Sequence, residues 1–188
     1  MAAEPAGLAE DLVVELVAMR RRHLRGVLRI EGQVYPRPWS LGLFLSELAL
    51  RQTRIYVVAR VGPTVVGYAG LMLTGSDGHI TTIAVDPAWH RQGIGARLLL
   101  AISRAGIALG CTGLTLEVRV SNEAAKAMYQ RFGYAPAGVR KNYYSETNED
   151  ALVMWAHDAD LEPYAERLAA IEAEIPGRTI IEEGLLPS

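Results

Sequence analysis

The stretch His90-Arg91-Gln92-Gly93-Ile94-Gly95-Ala96 constrains this chain most. Upstream of it lies a β-branched apolar run, Ile80 to Val85, closed by Asp86-Pro87. Downstream, an apolar pattern of helical period runs from Ile94 to Leu109. A glycine-rich turn that feeds a strand into a helix leaves backbone N–H groups unpaired at the positive end of the helix dipole, which makes it a site for an anion. The glycines permit close approach, and successive N–H groups can form a nest around phosphate oxygens, so a pyrophosphate-bearing ligand suits the turn. Counting from Gly93, the sixth position holds Leu98 rather than the third small residue of a dinucleotide turn, and the Gly-Lys-Ser/Thr triplet of a P-loop is missing. The same residues would also serve as a plain tight strand-to-helix turn.

The chain has 188 residues, 50% of them hydrophobic and 21% charged, which is enough for one domain with a proper core. Its 19 basic and 21 acidic residues leave a net charge of -2, so neither nucleic acid nor an acidic membrane is an expected direct partner. No apolar run approaches the roughly 18 residues of a membrane span. Glu4, Glu10 and Asp11 near the start do not read as a secretory leader, and a cytoplasmic location is expected. Cys111, the single cysteine, follows Gly110 at the end of the helical pattern and reads as a small apolar filler rather than a nucleophile. His23, His79, His90 and His157 are scattered, and no metal site is expected.

Residues 1–11 read as a loose N-terminus, residues 12–157 as the one folded domain, and residues 158–188 as a C-terminal helix and tail. Strands are expected at Leu12 to Met19, Ile55 to Val61, Thr64 to Leu73 and Ile80 to Val85, the middle pair joined by a Gly62-Pro63 hairpin turn. Helical spacing runs from Arg21 to Val34, and again from Leu41 to Leu50 behind a Ser40 cap, with Glu47 facing solvent. The arginines at 20, 21, 22 and 25 fit a solvated helix face better than a phosphate patch. Leu114 to Val120 alternates strictly, with Thr115, Glu117 and Arg119 on the face away from the leucines and valines. Ser121-Asn122 then caps a short helix carrying Ala125, Met128, Tyr129 and Phe132, stopped by Gly133. Strands at Tyr134 to Arg140 and Ala151 to Trp155 flank a polar loop. Leu161, Tyr164, Leu168, Ile171 and Ile175 form a narrow stripe, too short for an isolated coiled coil, that should dock on its own domain ahead of a flexible segment 178–188.

Taken in order, these residues resemble a known family. Ile83-Ala84-Val85-Asp86-Pro87 followed by Arg91-Gln92-Gly93-Ile94-Gly95 resembles the acetyl-CoA motif Q/R-x-x-G-x-G/A of the GNAT superfamily of N-acetyltransferases. Trp39-Ser40, Leu116 to Arg119, Ser121-Asn122, Tyr129, Gly133-Tyr134, Arg140 to Tyr144 and Glu149 to Ala151 extend the likeness to the RimI-type bacterial N-terminal-alanine acetyltransferases. It covers roughly Leu12 to Trp155. His90 departs from the motif's first position, and residues 158–188 lie past the family's usual end.

The resemblance implies a mixed α/β (α+β) GNAT fold: a mostly antiparallel twisted sheet of about six to seven strands with about four helices, plus the C-terminal helical extension. It implies acetyl-CoA as cosubstrate, no metal, and as acceptor the N-terminal amine of a protein, a small-subunit ribosomal protein in that family. The pantetheine arm would run beside Ile83, Ala84 and Val85. The diphosphate would sit on Arg91, Gln92, Gly93, Ile94, Gly95 and Ala96, with a hydrogen bond from Asn122.

Transfer to an amine needs a neutral nitrogen and a proton for the departing thiolate. Glu117 is the candidate base, and an ion pair with Arg119 is its alternative reading. Tyr129, 12 residues on, is the acid that the resemblance implies; it also fits a core aromatic. Tyr35, Trp39, Tyr143 and Tyr144 are candidates to grip the acceptor or to pack. Two other functions stay open: acetylation of a small amine drawn to the acidic loop Glu146 to Asp150, and a non-catalytic acyl-CoA-binding subunit.

Overall fold

A single sheet of eight strands in the order β6-β7-β5-β4-β3-β2-β1-β8 organises the protein. In the computed structural model, which describes residues 10–185, the strands are β1 (Val13–Ala18), β2 (Arg54–Val61), β3 (Thr64–Thr74), β4 (Asp77–Val85), β5 (Gly113–Arg119), β6 (Ala135–Tyr144), β7 (Glu149–Ala156) and β8 (Arg178–Ile181). The helices are α1 (Leu24–Val34), α2 (Leu41–Ala49), α3 (Ile94–Ala108), α4 (Glu123–Arg131) and α5 (Glu162–Glu174). All neighbouring strands are antiparallel except two pairs, β4–β5 and β1–β8. Each parallel pair is bridged by a stretch containing a helix, as parallel pairing requires.

Alternation along the strands sends one set of side chains to each face. Val57, Ala59, Val66, Ala69 and Leu71 meet Leu98, Leu99 and Ile102 of α3, together with Tyr164, Leu168 and Ile171 of α5. Tyr56, Val58, Val65 and Tyr68 meet Leu24, Val27 and Ile30 of α1 and Phe44 of α2. The stripe on α5 therefore docks on its own domain. Among the described residues, no helix is long and apolar enough to cross a membrane.

Several expectations are corrected. Among the described residues the sheet has eight strands, against the six to seven expected, while the five α-helices match the four expected plus the C-terminal one. The largest difference is at the C-terminus, where residues 178–181 are not a flexible tail. Val13 to Leu16 pair in register with Arg178 to Ile181; the Arg178 N–H donates to Leu12 O and the Glu182 N–H to Leu16 O. Four residues are too few to show a period, and the unpaired edge of β1 that receives them exists only once the sheet is built. Glu47 does not face solvent: its carboxylate takes Arg54 Nε at 2.6 Å and the Tyr56 hydroxyl at 2.8 Å. Arg21–His23 form a 3-10 turn before α1, and β6 extends to Tyr144, shortening the polar loop. Of the expected loose N-terminus, residues 1–9 lie outside the described residues.

The feature that positions the site is a parting of the sheet. β4 and β5 pair only through Asp77↔Gly113, Gly78↔Leu114 and His79↔Thr115. Immediately beyond, β4 holds one extra residue, Thr81, between Ile80 (opposite Leu71) and Thr82 (opposite Gly70). Such a bulge bends its strand and increases its twist. β4 then follows β3, β5 follows β7, and a V-shaped cleft opens between them.

Candidate active site

One wall of the cleft is the free edge of β4. The Asp86 N–H donates to Val66 O on β3, so the alternation of a strand turns the backbone groups of Ala84 toward β3 and those of Ile83 and Val85 toward the cleft. Both edge carbonyls carry a contact: the Tyr35 hydroxyl donates to Ile83 O at 2.8 Å, and His90 Nε2 lies 3.3 Å from Val85 O. At the mouth stands the start of α3. Arg91 and Gly93 have φ of 60° and 71°, and the first helical bond runs from the Arg97 N–H to Gly93 O. The N–H groups of Ile94, Gly95 and Ala96 precede it and have no partner within the helix. The side chains of Ile94 and Ala96 are buried, so these two can offer only backbone.

These residues fit the diphosphate and arm of coenzyme A. A Cβ on Gly95 would stand 3.4 Å from Met128 Sδ and 3.7 Å from Val85 Cγ2, filling the floor between β4, α3 and α4. The glycine keeps that floor low. At Gly93, the positive φ and a would-be Cβ only 2.8 Å from Arg97 Nη1 leave no room for another residue.

Glu117 stands on the opposite wall, its side chain 10% exposed. It does not pair with Arg119. Its Oε2 lies 2.5 Å from His79 Nε2 and its Oε1 3.2 Å from Arg140 Nε. The His79 contact, more than Arg140, holds its carboxyl below the ordinary 4.5 against the opposing effect of burial. Arg119 instead binds Glu146 at 2.7 Å and Glu149 at 3.3 Å, and covers the Tyr144 ring at 3.9 Å. The sequence reading passed over His79. Its position two residues before the bulge carries no mark, because only the register of β4 on β5 brings it beside Glu117.

Tyr129 is buried on α4 against Tyr134. Its hydroxyl takes part in none of the hydrogen bonds among the described residues. Burial first, then the Tyr35 and Tyr144 hydroxyls, push its pKa above 10. It is thus both a packed ring and a phenol that keeps its proton. Asn122 caps α4, its Oδ1 accepting from the Ala125 N–H at 3.1 Å, which leaves its amide nitrogen for other partners.

The aromatic candidates separate into two kinds. Trp39 packs on Phe44 with ring centroids 5.3 Å apart, and its backbone N–H donates to Glu31 Oε1 at 2.9 Å. Glu31 is 1% exposed and also accepts from the Tyr68 hydroxyl; burial raises its pKa. Trp39 is therefore committed to the fold, and Tyr35 to the β4 edge. Tyr143, 48% exposed, stands edge-on to Tyr144 at 5.1 Å, and this pair remains open to an acceptor. Cys111 is buried in the α3 core, and burial raises its pKa, so it is no nucleophile for this cleft.

A parted sheet with an anion turn at its mouth defines an acyl-CoA-dependent transferase, and residues 24–134 match the family model described as the acetyltransferase (GNAT) family. The chain belongs to that family and is an acetyl-CoA-dependent N-acetyltransferase. It is 36% identical over 161 residues to the Mycobacterium tuberculosis protein named N-alpha-acetyltransferase RimI, covering 81% of this chain and 98% of that protein. It is 33% identical over 133 residues to the Escherichia coli K12 protein named [ribosomal protein bS18]-alanine N-acetyltransferase, covering 70% and 88%. The crystal structure of the ribosomal-protein-S18-alanine N-acetyltransferase from Escherichia coli superposes with a TM-score of 0.70 at 29% identity, covering 77% of this chain and 94% of that one.

Proposed function

We propose that the protein transfers acetyl from acetyl-CoA directly to the N-terminal amine of a protein, an N-terminal alanine of a ribosomal protein being the favoured acceptor. The observation that carries this reading is Glu117, a carboxylate held ionised by His79 and Arg140 on the cleft wall facing the free edge of β4. The acceptor class follows the names of the relatives from Mycobacterium tuberculosis and Escherichia coli. Such an acceptor makes the cytoplasm the expected location.

Acetyl-CoA would supply the acyl group as a thioester. The turn at Arg91 to Ala96 holds its diphosphate, and the edge groups of Ile83 and Val85 align its arm like an added strand. An α-amino group has a pKa of about 8, so about a tenth is neutral at pH 7 and binding need not extract a proton at the start. As nitrogen attacks, its remaining N–H becomes acidic. A carboxylate of low pKa is then a sufficient acceptor, directly or through a water. His79 and Arg140 keep Glu117 aimed and charged. Tyr129, buried on α4, keeps its proton. Because its pKa lies above that of a thiol, near about 8.5, its contribution is a hydrogen bond to the developing thiolate rather than early proton release. Tyr143 and Tyr144 form the rigid aromatic surface for the incoming peptide.

The small-amine alternative loses its basis. Glu146 and Glu149 are taken by Arg119, and Asp150 by Lys141 at 2.9 Å, so the acidic loop offers no free carboxylate pair to a polyamine. Mass spectrometry after incubation with acetyl-CoA and either an Ala-starting peptide or spermidine tests the proposal. Acetylation confined to the peptide α-amine is the expected result; preference for the polyamine would overturn it.

A further inference from the structure

Arg97 lies on the inner side of α3 with 2% of its surface exposed, and among the described residues it has no carboxylate partner. Its guanidinium is shared among three acceptors. Nη1 donates to Gln92 O at 2.8 Å, Nε to Thr179 Oγ1 at 2.9 Å, and Nη2 to Pro176 O. The first acceptor belongs to the anion turn; of the other two, Pro176 precedes β8 and Thr179 lies within it. Ile175 closes the same junction, its Cγ2 3.0 Å from where a Cβ on Gly93 would stand.

Two consequences follow from elementary geometry and charge. The C=O and N–H of a trans peptide point in opposite directions, so pinning Gln92 O inward turns the Gly93 N–H outward, toward the mouth of the cleft. A buried guanidinium without a carboxylate is costly even when hydrogen-bonded, and a counter-charge nearby would offset part of that cost. A diphosphate held by the turn would supply one.

We propose that the C-terminal segment Ile175–Ile181, acting through Arg97, is a positioning element of the coenzyme A site: it locks the Gln92–Gly93 peptide in its anion-binding orientation and sets a positive charge behind the diphosphate. This rests on the reading of the turn as the diphosphate site. It gives a role to a part of the chain beyond the residues that match the family model.

Calorimetry with CoA and with pantetheine, which lacks the diphosphate together with the 3′-phosphoadenosine, tests the reading of the turn in the wild type and the inference in the change that each variant makes to the affinity ratio. Full-length wild-type protein should bind CoA at least about tenfold tighter than pantetheine, by the charge-assisted contacts of the turn. Arg97→Met should remove most of that preference and Thr179→Val should lower it about two- to threefold, while pantetheine binding moves little in either. The ratio of kcat/KM for acetyl-CoA over S-acetylpantetheine should fall by the same factors. Should Arg97→Met not fold, Arg97→Lys keeps the charge but cannot span three acceptors, and with Thr179→Val it reads the same ratio. A wild type without preference would sink the reading of the turn and this inference with it. A wild-type preference that survives unchanged in the folded variants, or CoA and pantetheine weakened equally, would overturn the inference alone.

Discussion

The sheet contains two parallel junctions, and they behave in opposite ways. β4 and β5 pair over three residues and separate; β1 and β8 pair over four and stay closed. At the first, each strand has another partner along nearly its whole length, and a bulge at Thr81 bends β4 away. At the second, β8 has no other partner among the described residues and follows β1. The open junction keeps backbone groups and the Glu117 carboxylate available for a ligand; the closed one spends its backbone groups on the fold. A parallel pair is thus a site or a brace according to what its strands are otherwise bound to, and α3, with Gly93 at one end and Arg97 one turn in, touches both.

The comparison can be broken at the open junction first. Glu117→Gln and Tyr129→Phe should each lower kcat by on the order of 10²-fold, with CoA affinity nearly unchanged; steady-state kinetics beside calorimetry reads this, and equal losses of rate and binding would make both residues structural. Gly93→Ala forces a side chain into positive φ and onto Arg97, so CoA binding should weaken by about tenfold and stability fall by about 1–2 kcal/mol. At the closed junction, Ile180→Pro removes a ladder N–H while its half-exposed side chain loses little. A cost of about 3 kcal/mol in denaturant unfolding is expected, and a negligible one would mean that β8 is not held by β1.

Acid sharpens the picture further. Glu117 has its folded pKa depressed, so its contribution to stability is present above the ordinary 4.5 and is lost as pH falls through the lower folded value. Wild type should therefore lose more stability than Glu117→Gln on going from pH 5 to pH 3, read from paired urea curves. The smallest effect belongs to Cys111→Ala, which should leave kcat unchanged, since the thiol lies in the α3 core; loss of turnover with a trapped acetyl-enzyme would refute direct transfer.

Much of this was legible in the residues because local patterns carry it. The alternation of Leu114 to Val120 put Glu117 on the face away from the core. Asn122 and Gly133 marked the bounds of α4, and the two glycines marked the start of α3. Glu47 and Trp39 were not settled by the sequence because each is fixed by a partner seven to nine residues away in another element, outside the reach of a helical or strand period: Arg54 and Tyr56 on β2 for Glu47, and Glu31 on α1 for Trp39. Of the four aromatic acceptor candidates, Tyr143 alone is largely exposed, with Tyr144 packed under Arg119, and no periodicity distinguishes the two from the rest.

The sequence by itself determined the anion turn, the family and every long element, though not the short C-terminal strand, since strand alternation, helix caps and glycine conformations act over a few residues. Only the tertiary structure decided that His79 and Arg140 flank Glu117, that the sheet parts at Thr81, and that the C-terminal strand reaches Arg97 behind the turn. Those facts depend on strand register and on an edge left vacant, and register is set by the packing of the whole sheet rather than by any single segment.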